Sequence, residues 1–497
     1  MKRNDERPWY EKAAGKKARP SANRQFEKIG QSEKSEKDGK LDKDEKKGES
    51  STAHLVKNHS AKKSVTKPAH KSSREFERRK LKIKRSSMFD ENAIPKESLE
   101  IINHFDDVSA SVLGLSGKQR VQLGGTIKKL SHELTDDRGS RRLGYMNDAS
   151  SISAYISYFM WWNLVRLSRL FANLPKNAFD LPDTAVALDI GSGPLTVPVA
   201  LWLSRPELRS KKITWYCVDL SQGALCAGEE IYLSVAAKTL KDGEEPWKIV
   251  RVKGPLGTKI KEKADFVVCA NTFNEIIQNN EMPTDFLAKK YSGEMTDYLK
   301  DAGGLSLLIE PGDPHSARFV SLMRDAFIRR GFMPVSPCPH CRECPMDGRK
   351  GGKMTNFEGH ASKWCNFAFN TEDAPVSLLK LSEKAGLSKD RASLSFVLSR
   401  KSDSGEQKKS VDEIKSLDEV ISENSKKQQT LDLRIASDFI KLPELHRSGY
   451  YACSEIGLVL AVDEHHVQPK NGELLTVPFP TESLATDKKS GAAILRI

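Results

Sequence analysis

The stretch Ala187-Leu-Asp-Ile-Gly-Ser-Gly-Pro194 restricts the possible fold more tightly than any other part of the chain. A short apolar run ends in an acid and then in Gly-x-Gly, where a strand must hand over to a helix. Glycines there let the backbone turn at positive φ and come close to a ligand. The helix N-terminus beyond them adds partial positive charge. The next apolar run, Ile213-Thr-Trp-Tyr-Cys-Val218, ends in Asp219, a carboxylate placed to accept both ribose hydroxyls of a nucleoside. A dinucleotide fingerprint requires a third small residue at position 196. Thr196 after Pro194 and Leu195 suits a nucleoside without a pyrophosphate better. The residues Asp189, Gly191, Gly193 and Asp219 therefore point to S-adenosylmethionine, against a nicotinamide fold or a degenerate site.

From Thr184 onward, short apolar strands alternate with helices. Strands are expected at 185–190, 213–218, 247–252, 265–269, 305–309 and 332–335, with helices from Pro194, Ser221 and Ser316 between them. This alternation predicts an α/β fold, a doubly wound Rossmann-like sheet of the class-I methyltransferase type. Leu394-Ser-Phe-Val-Leu398 would close it as an antiparallel strand. Five regions follow: a disordered basic tail (1–85), a helical N-terminal region (86–180), the cofactor-binding domain (181–400, carrying a cysteine cluster at 337–365), a disordered insertion (401–430) and a small β-rich C-terminal extension (431–497). In the extension, 457–462 and 474–477 read as strands.

Charge is concentrated in the tail. Residues 1–80 contain 24 Lys/Arg and 13 Asp/Glu, a net of +11 of the chain's +13. Such a segment buries too little apolar surface to offset its ordering entropy. It reads equally as a solubilising arm or as a nucleic-acid arm that gains affinity by counterion release. Its interspersed acids argue against a mitochondrial presequence. No apolar run reaches the ~18 residues a membrane span needs, so no membrane partner is expected.

At the end of the fourth expected strand, Cys269-Ala-Asn-Thr-Phe-Asn-Glu275 reaches the carboxyl edge of the sheet. Asn271, Asn274 and Glu275 either face the methyl group or substrate, or start a helix with Asn271 as N-cap. No Asn-Pro-Pro-Tyr motif and no Pro-Cys nucleophile occurs at this strand end, so the catalytic residues are unassigned. Eight cysteines are present, three of them within Pro337-Cys-Pro-His-Cys-Arg-Glu-Cys-Pro345. Thiolates three residues apart in a proline-punctuated loop converge on a metal, with Cys365 and Cys453 able to complete four ligands. An all-sulfur set suits a [4Fe–4S] cluster or structural zinc, and free thiols are the alternative. His340 reads as a loop residue rather than a ligand. The strand before the loop returns to the carboxyl edge, which places Cys338 on the same face as the glycine loop, near where substrate binds; the alternative is a loop that folds away and only staples the C-terminal extension.

Taken in order, Leu188-Asp-Ile-Gly-Ser-Gly-Pro194, Phe273-Asn-Glu275, Ile309-Glu-Pro-Gly312, Pro337-Cys-Pro-His340, Cys344-Pro345 and Trp364-Cys365 resemble the mitochondrial small-ribosomal-subunit methyltransferase-like proteins and their bacterial relatives. The resemblance spans roughly residues 140–480. It implies a class-I methyltransferase fold and association with the small ribosomal subunit and its rRNA. It also implies an iron–sulfur site at Cys338, Cys344, Cys365 and Cys453. Cys341 is an addition to that pattern and could exchange with Cys344. Glu310-Pro-Gly312 would close the crevice, with Asn271 and Glu310 among the cofactor contacts. The chain would be a monomer off the ribosome. A bacterial-type member would be cytoplasmic, and a eukaryotic one would lie in the mitochondrial matrix.

Overall fold

The computed structural model describes residues 83–135, 146, 148–278, 280–348, 363–402 and 430–497. The basic tail up to residue 82 and residues 403–429 of the expected insertion lie outside the described residues. The composition ends the tail at residue 85, yet Lys84–Ser86 (β1) is a strand, paired antiparallel with Leu474–Thr476. It is a short edge strand of charged and polar residues, so its composition cannot be told from tail.

Helices Lys96–Asn103, Phe105–Leu113 and Gly117–Thr135 precede a longer helical run from Ala149 to Asn173. Its middle turn, Tyr155–Met160, is π-helical. Trp161, Leu164 and Val165 at helical spacing, with the small buried Ser168, form one buried face of the run. The Trp161 indole N–H donates to Ile102 O at 2.7 Å, tying the run to the first helix.

The central sheet is built from β2 (Thr184–Ile190), β3 (Lys212–Asp219), β4 (Lys248–Lys253), β5 (Phe266–Ala270), β6 (Leu305–Glu310), β7 (Phe332–Ser336) and β9 (Arg391–Lys401), with β8 (Phe367–Asn370) against β9. Its order is β4-β3-β2-β5-β6-β9-β7. All pairs from β4 to β6 are parallel, whereas β9 runs antiparallel between β6 and β7. A parallel sheet that winds both ways from its first strand, with an antiparallel strand inserted before the edge, is the class-I methyltransferase arrangement. Winding reverses between β2 and β5, and a crevice opens at the carboxyl ends of strands at such a point.

Both faces of the sheet are buried, and the side-chain period of two sorts the residues between them. Ala185 and Ala187 of β2 face the layer containing Trp161, Trp202 and Trp215. Val186, Leu188 and Ile190 face the opposite layer with Phe273, Phe319 and Phe327. The small alanines leave room for the tryptophans, of which Trp202 and Trp215 meet Trp247 in edge and tilted contacts.

The C-terminal extension is a sheet of its own, made of β10 (Thr430–Ile435), β11 (Ile440–Leu442), β12 (Arg447–Ser454), β13 (Gly457–Asp463), β14 (Leu474–Pro478) and β15 (Ala493–Arg496). Its order is β1-β14-β10-β12-β13-β15, with β11 beside β12. Leu431, Leu433 and Ile435 point into its core and alternate with Thr430, Asp432 and Arg434. The sequence reading finds two strands here because polar residues on the outward face interrupt the others. No helix of the described residues is long and apolar enough to cross a membrane.

Candidate functional site

The loop after β2 turns on Gly191 and Gly193, both at positive φ (68° and 51°), followed by Leu195 at 58°. The helix begins at Thr196, two residues later than the sequence suggests. A Cβ on Gly191 would lie 2.2 Å from Thr272 Oγ1, so both the backbone angle and the space require glycine. The N–H groups of Gly191 and Ser192 donate to Val218 O at 2.8 and 3.0 Å, locking the loop to β3.

Two acids sit under this loop. Asp189 is almost fully buried and accepts from Ser192 Oγ at 2.7 Å. Burial pushes its pKa up to about 7, with Asp219 adding to the rise and the Ser192 hydroxyl opposing it. Asp219 accepts from Gly193 N–H at 2.9 Å and from Ser221 N–H at 2.8 Å. Its pKa is also raised by burial, against those backbone donors.

A cleft of about 290 Å³ adjoins the loop, lined by Asp189, Gly191, Ser192, Ala270 and Asn271 from the sheet edge. Its other walls come from Tyr155, Asn163 and Leu167 of the long helical run and from Thr196 and Val197. The sequence reading missed the helical wall. The local signal was polar Asn163 and Arg166 among the tryptophans and leucines of the first half of the helix, and the π turn beside them leaves no mark in the composition.

Asn271 lies on the cleft at φ 54°, in the left-handed region, with its N–H on Ile309 O at 2.8 Å. It is not the N-cap of the helix Phe273–Gln278. That task falls to Glu310, whose carboxylate accepts from the N–H groups of Thr272 (3.2 Å), Phe273 (2.8 Å) and Asn274 (3.1 Å). Glu310 is fully buried, and its carboxylate is engaged in this cap. Burial pushes its pKa up to about 8, with the three donors opposing.

The cysteine loop leaves β7 at the same sheet edge as the glycine loop. However, β7 stands four strand positions from β2, about 19 Å away at the usual strand spacing. The cysteines are therefore lateral to the cleft. Cys338 and Cys344 lie on this loop, Cys365 just before β8 and Cys453 on β12 of the C-terminal sheet. Burial raises the thiol pKa values of Cys365 and Cys453 well above the ordinary range and that of Cys344 to about 12. Neighbouring thiols of the same set push each of them further. Cys341 lies close enough to Cys338 that the neighbouring thiol adds to the rise burial gives its pKa, and its sulfur is 3.6 Å from Met333 Sδ.

No three His, Cys, Asp or Glu side chains among the described residues converge as ligands of a single ion. His340 is buried, with Nε2 3.0 Å from Cys453 Sγ and Nδ1 3.4 Å from Arg324 Nη2. Arginine can only donate, so Nδ1 accepts and Nε2–H faces the sulfur. Reading His340 as a plain loop residue underrates it, since it orients a cysteine of the group. Two buried guanidiniums strap the loop. Arg324 donates to His340 O (2.6 Å) and Arg342 O, and Arg434 donates to Pro337 O (3.0 Å) and Gly472 O (2.7 Å).

No curated protein matches the chain. Solved structures similar to it include the magnesium protoporphyrin IX methyltransferase ChlM of Synechocystis PCC 6803 with bound SAM. That similarity is 12% identity over 56% of this chain and 97% of that one, at TM-score 0.27. Another is a SAM-dependent methyltransferase from Thiobacillus denitrificans in complex with S-adenosyl-L-homocysteine, at 15% identity, 48% and 90% coverage and TM-score 0.25. Closer kinship comes from sequence: residues 149–416, more than half of the chain, match the family described as mitochondrial small ribosomal subunit Rsm22, and the chain belongs to that family.

Proposed function

We propose that the chain binds S-adenosylmethionine in the cleft beside the Gly191–Gly193 loop and methylates rRNA of the small ribosomal subunit or assists its assembly. The observation that carries this reading is the cleft itself, at the winding reversal of a class-I methyltransferase sheet, walled by Asp189, Gly191 and Ser192. Asp219 lies one strand over and would receive the ribose hydroxyls, exchanging its bond from Gly193 N–H for them. Asp189 holds Ser192 and so fixes the loop over the ligand. The family description supports the small ribosomal subunit as partner. Location then follows the ribosome joined, which for a mitochondrial one is the matrix.

Cys338, Cys344, Cys365 and Cys453 would hold a [4Fe–4S] cluster. The donor set fits: four sulfurs, no disulfide, drawn from three separate segments. A cluster binds each thiolate through a different iron, so its ligands stand farther apart than those of one zinc. Such a group would supply cross-linking of the loop, β8 and the C-terminal sheet. Anaerobically purified protein should be brown and carry about four irons per chain; a colourless, zinc-containing protein would count against this assignment.

A non-catalytic assembly factor is the second reading. It is favoured by Glu310, the acid the sequence places at the crevice, being used as a helix cap. Transfer of tritium from labelled S-adenosylmethionine to small subunits isolated without this protein separates the two. Incorporation supports methylation, and retained subunit binding without incorporation supports the scaffold.

A further inference from the structure

Arg166 projects from the helix Trp161–Asn173 beside the cleft. Its Nη1 donates to Ser393 O at 2.7 Å, and its Nη2 donates to Asn163 Oδ1 at 2.6 Å and Asn271 Oδ1 at 3.0 Å. Its Nε–H is buried without a partner. Among the described residues no carboxylate forms an ion pair with it. Burial lowers its pKa to about 10, which leaves it cationic at neutral pH.

The two amides are both walls of the cleft. A guanidinium has donors only, so each amide must turn its oxygen toward Arg166 and its –NH2 away from it. Among the described residues neither amide nitrogen donates to any group. One cation thus fixes two side chains so that their free donors are available to the cleft, and its own charge stands directly behind them. Asn271 is held there by a left-handed backbone, a conformation that asparagine tolerates better than most residues. Asp189 is on the same wall, so the cleft offers an acid for an ammonium together with donors for an anion. That combination matches an α-amino acid zwitterion, whereas a pyrophosphate would face Asp189.

We propose that Asn163 and Asn271 receive the α-carboxylate of the amino-acid end of the ligand, with Arg166 as the positioning residue that orients both amides and supplies the charge. This rests on the S-adenosylmethionine reading of the cleft. The distinguishing probe is 5′-methylthioadenosine, which keeps the nucleoside and sulfur but lacks the amino-acid end.

Binding of both ligands to the full-length, metal-loaded chain is measured by calorimetry. Arg166→Met should weaken S-adenosylmethionine about 10- to 100-fold, the worth of a hydrogen bond to a charged group, and leave 5′-methylthioadenosine unchanged. Arg166→Lys, which keeps the charge but not the fork, should fall between. Asn163→Asp is nearly isosteric and gains an ion pair with Arg166, so it tests the same claim if Arg166→Met fails to fold. It should repel the carboxylate and spare 5′-methylthioadenosine. Equal losses for both ligands, or no loss for either, overturn the carboxylate site and leave the cofactor reading standing. No binding of either ligand to the unaltered chain overturns both.

Discussion

Glu310 meets two opposing demands: complete burial, which disfavours charge, and three backbone donors, which favour it. Burial prevails and its pKa rises to about 8; Asp189 behaves alike at about 7. Unfolded, both acids ionise near their ordinary values, so between about pH 4 and pH 8 the unfolded chain has released protons that the native one retains. Their contribution to stability is full below that window and is lost as pH rises through the native pKa values. Glu310→Gln keeps an acceptor for the helix N-terminus and should flatten the decline of the unfolding midpoint with pH, as followed by circular dichroism. An unchanged slope would assign the pH dependence to other groups. Asp189 and Asp219 were legible in the sequence because a strand-to-helix turn on glycines leaves a local signature. Glu310's role was not, since its partners lie 36 to 38 residues earlier and only the β5–β6 register brings them together. Arg166 was missed for the same reason, as Asn271 is 105 residues away.

Among the elements, the glycine loop depends on the helix Gln222–Ala237 packing beneath it. A Cβ on Gly228 would lie 2.4 Å from the Pro194 carbonyl carbon, a backbone atom that cannot give way without moving the loop. Gly228→Ala should therefore destabilise the fold by about 1–3 kcal/mol, the usual range for overpacking, and weaken S-adenosylmethionine binding as well. Denaturant unfolding and calorimetry read the two effects, and a neutral result for both would show that the loop is not set by this contact. Strands β2, β3, β5 and β6 were legible because both faces are buried and each reads as an apolar run, whereas edge strand β4 showed itself by its Ile249, Val250 and Val252 between charged residues. Strands β10, β12 and β15 were obscured by one solvated face, and β1 by its charge. The helix Val376–Ala385 was also missed. Its buried Leu378, Ser382 and Ala385 recur at helical spacing, with Leu379 and Leu381 packed beside them, but the helix is only ten residues long.

For the whole molecule, the cysteine group joins parts that the backbone leaves separate. Cys453 belongs to the C-terminal sheet, Cys338 and Cys344 follow the edge strand β7, and Trp364, next to Cys365, donates its indole N–H to Gly312 O at 3.2 Å. Removing the proposed cluster under anaerobic conditions should lower the melting temperature by several degrees and expose the C-terminal sheet to protease, because a ligand of the native state alone stabilises it by mass action. Cys453→Ser should reproduce this loss. Cys341→Ser should retain full metal content, and a metal-free Cys341→Ser protein would place Cys341 among the ligands. The sequence singled out the four cysteines proposed for this site. It did not reveal the lateral offset from the cleft, which the insertion of β9 between β6 and β7 creates. The central claim, an S-adenosylmethionine site between the glycine loop and Asp219, is tested most directly by calorimetric titration of the unaltered chain and of Asp219→Ala. Saturable binding weakened about 10- to 100-fold by the substitution, with the fold intact by circular dichroism, is the predicted result; equal affinities, or no binding to the unaltered chain, would contradict it.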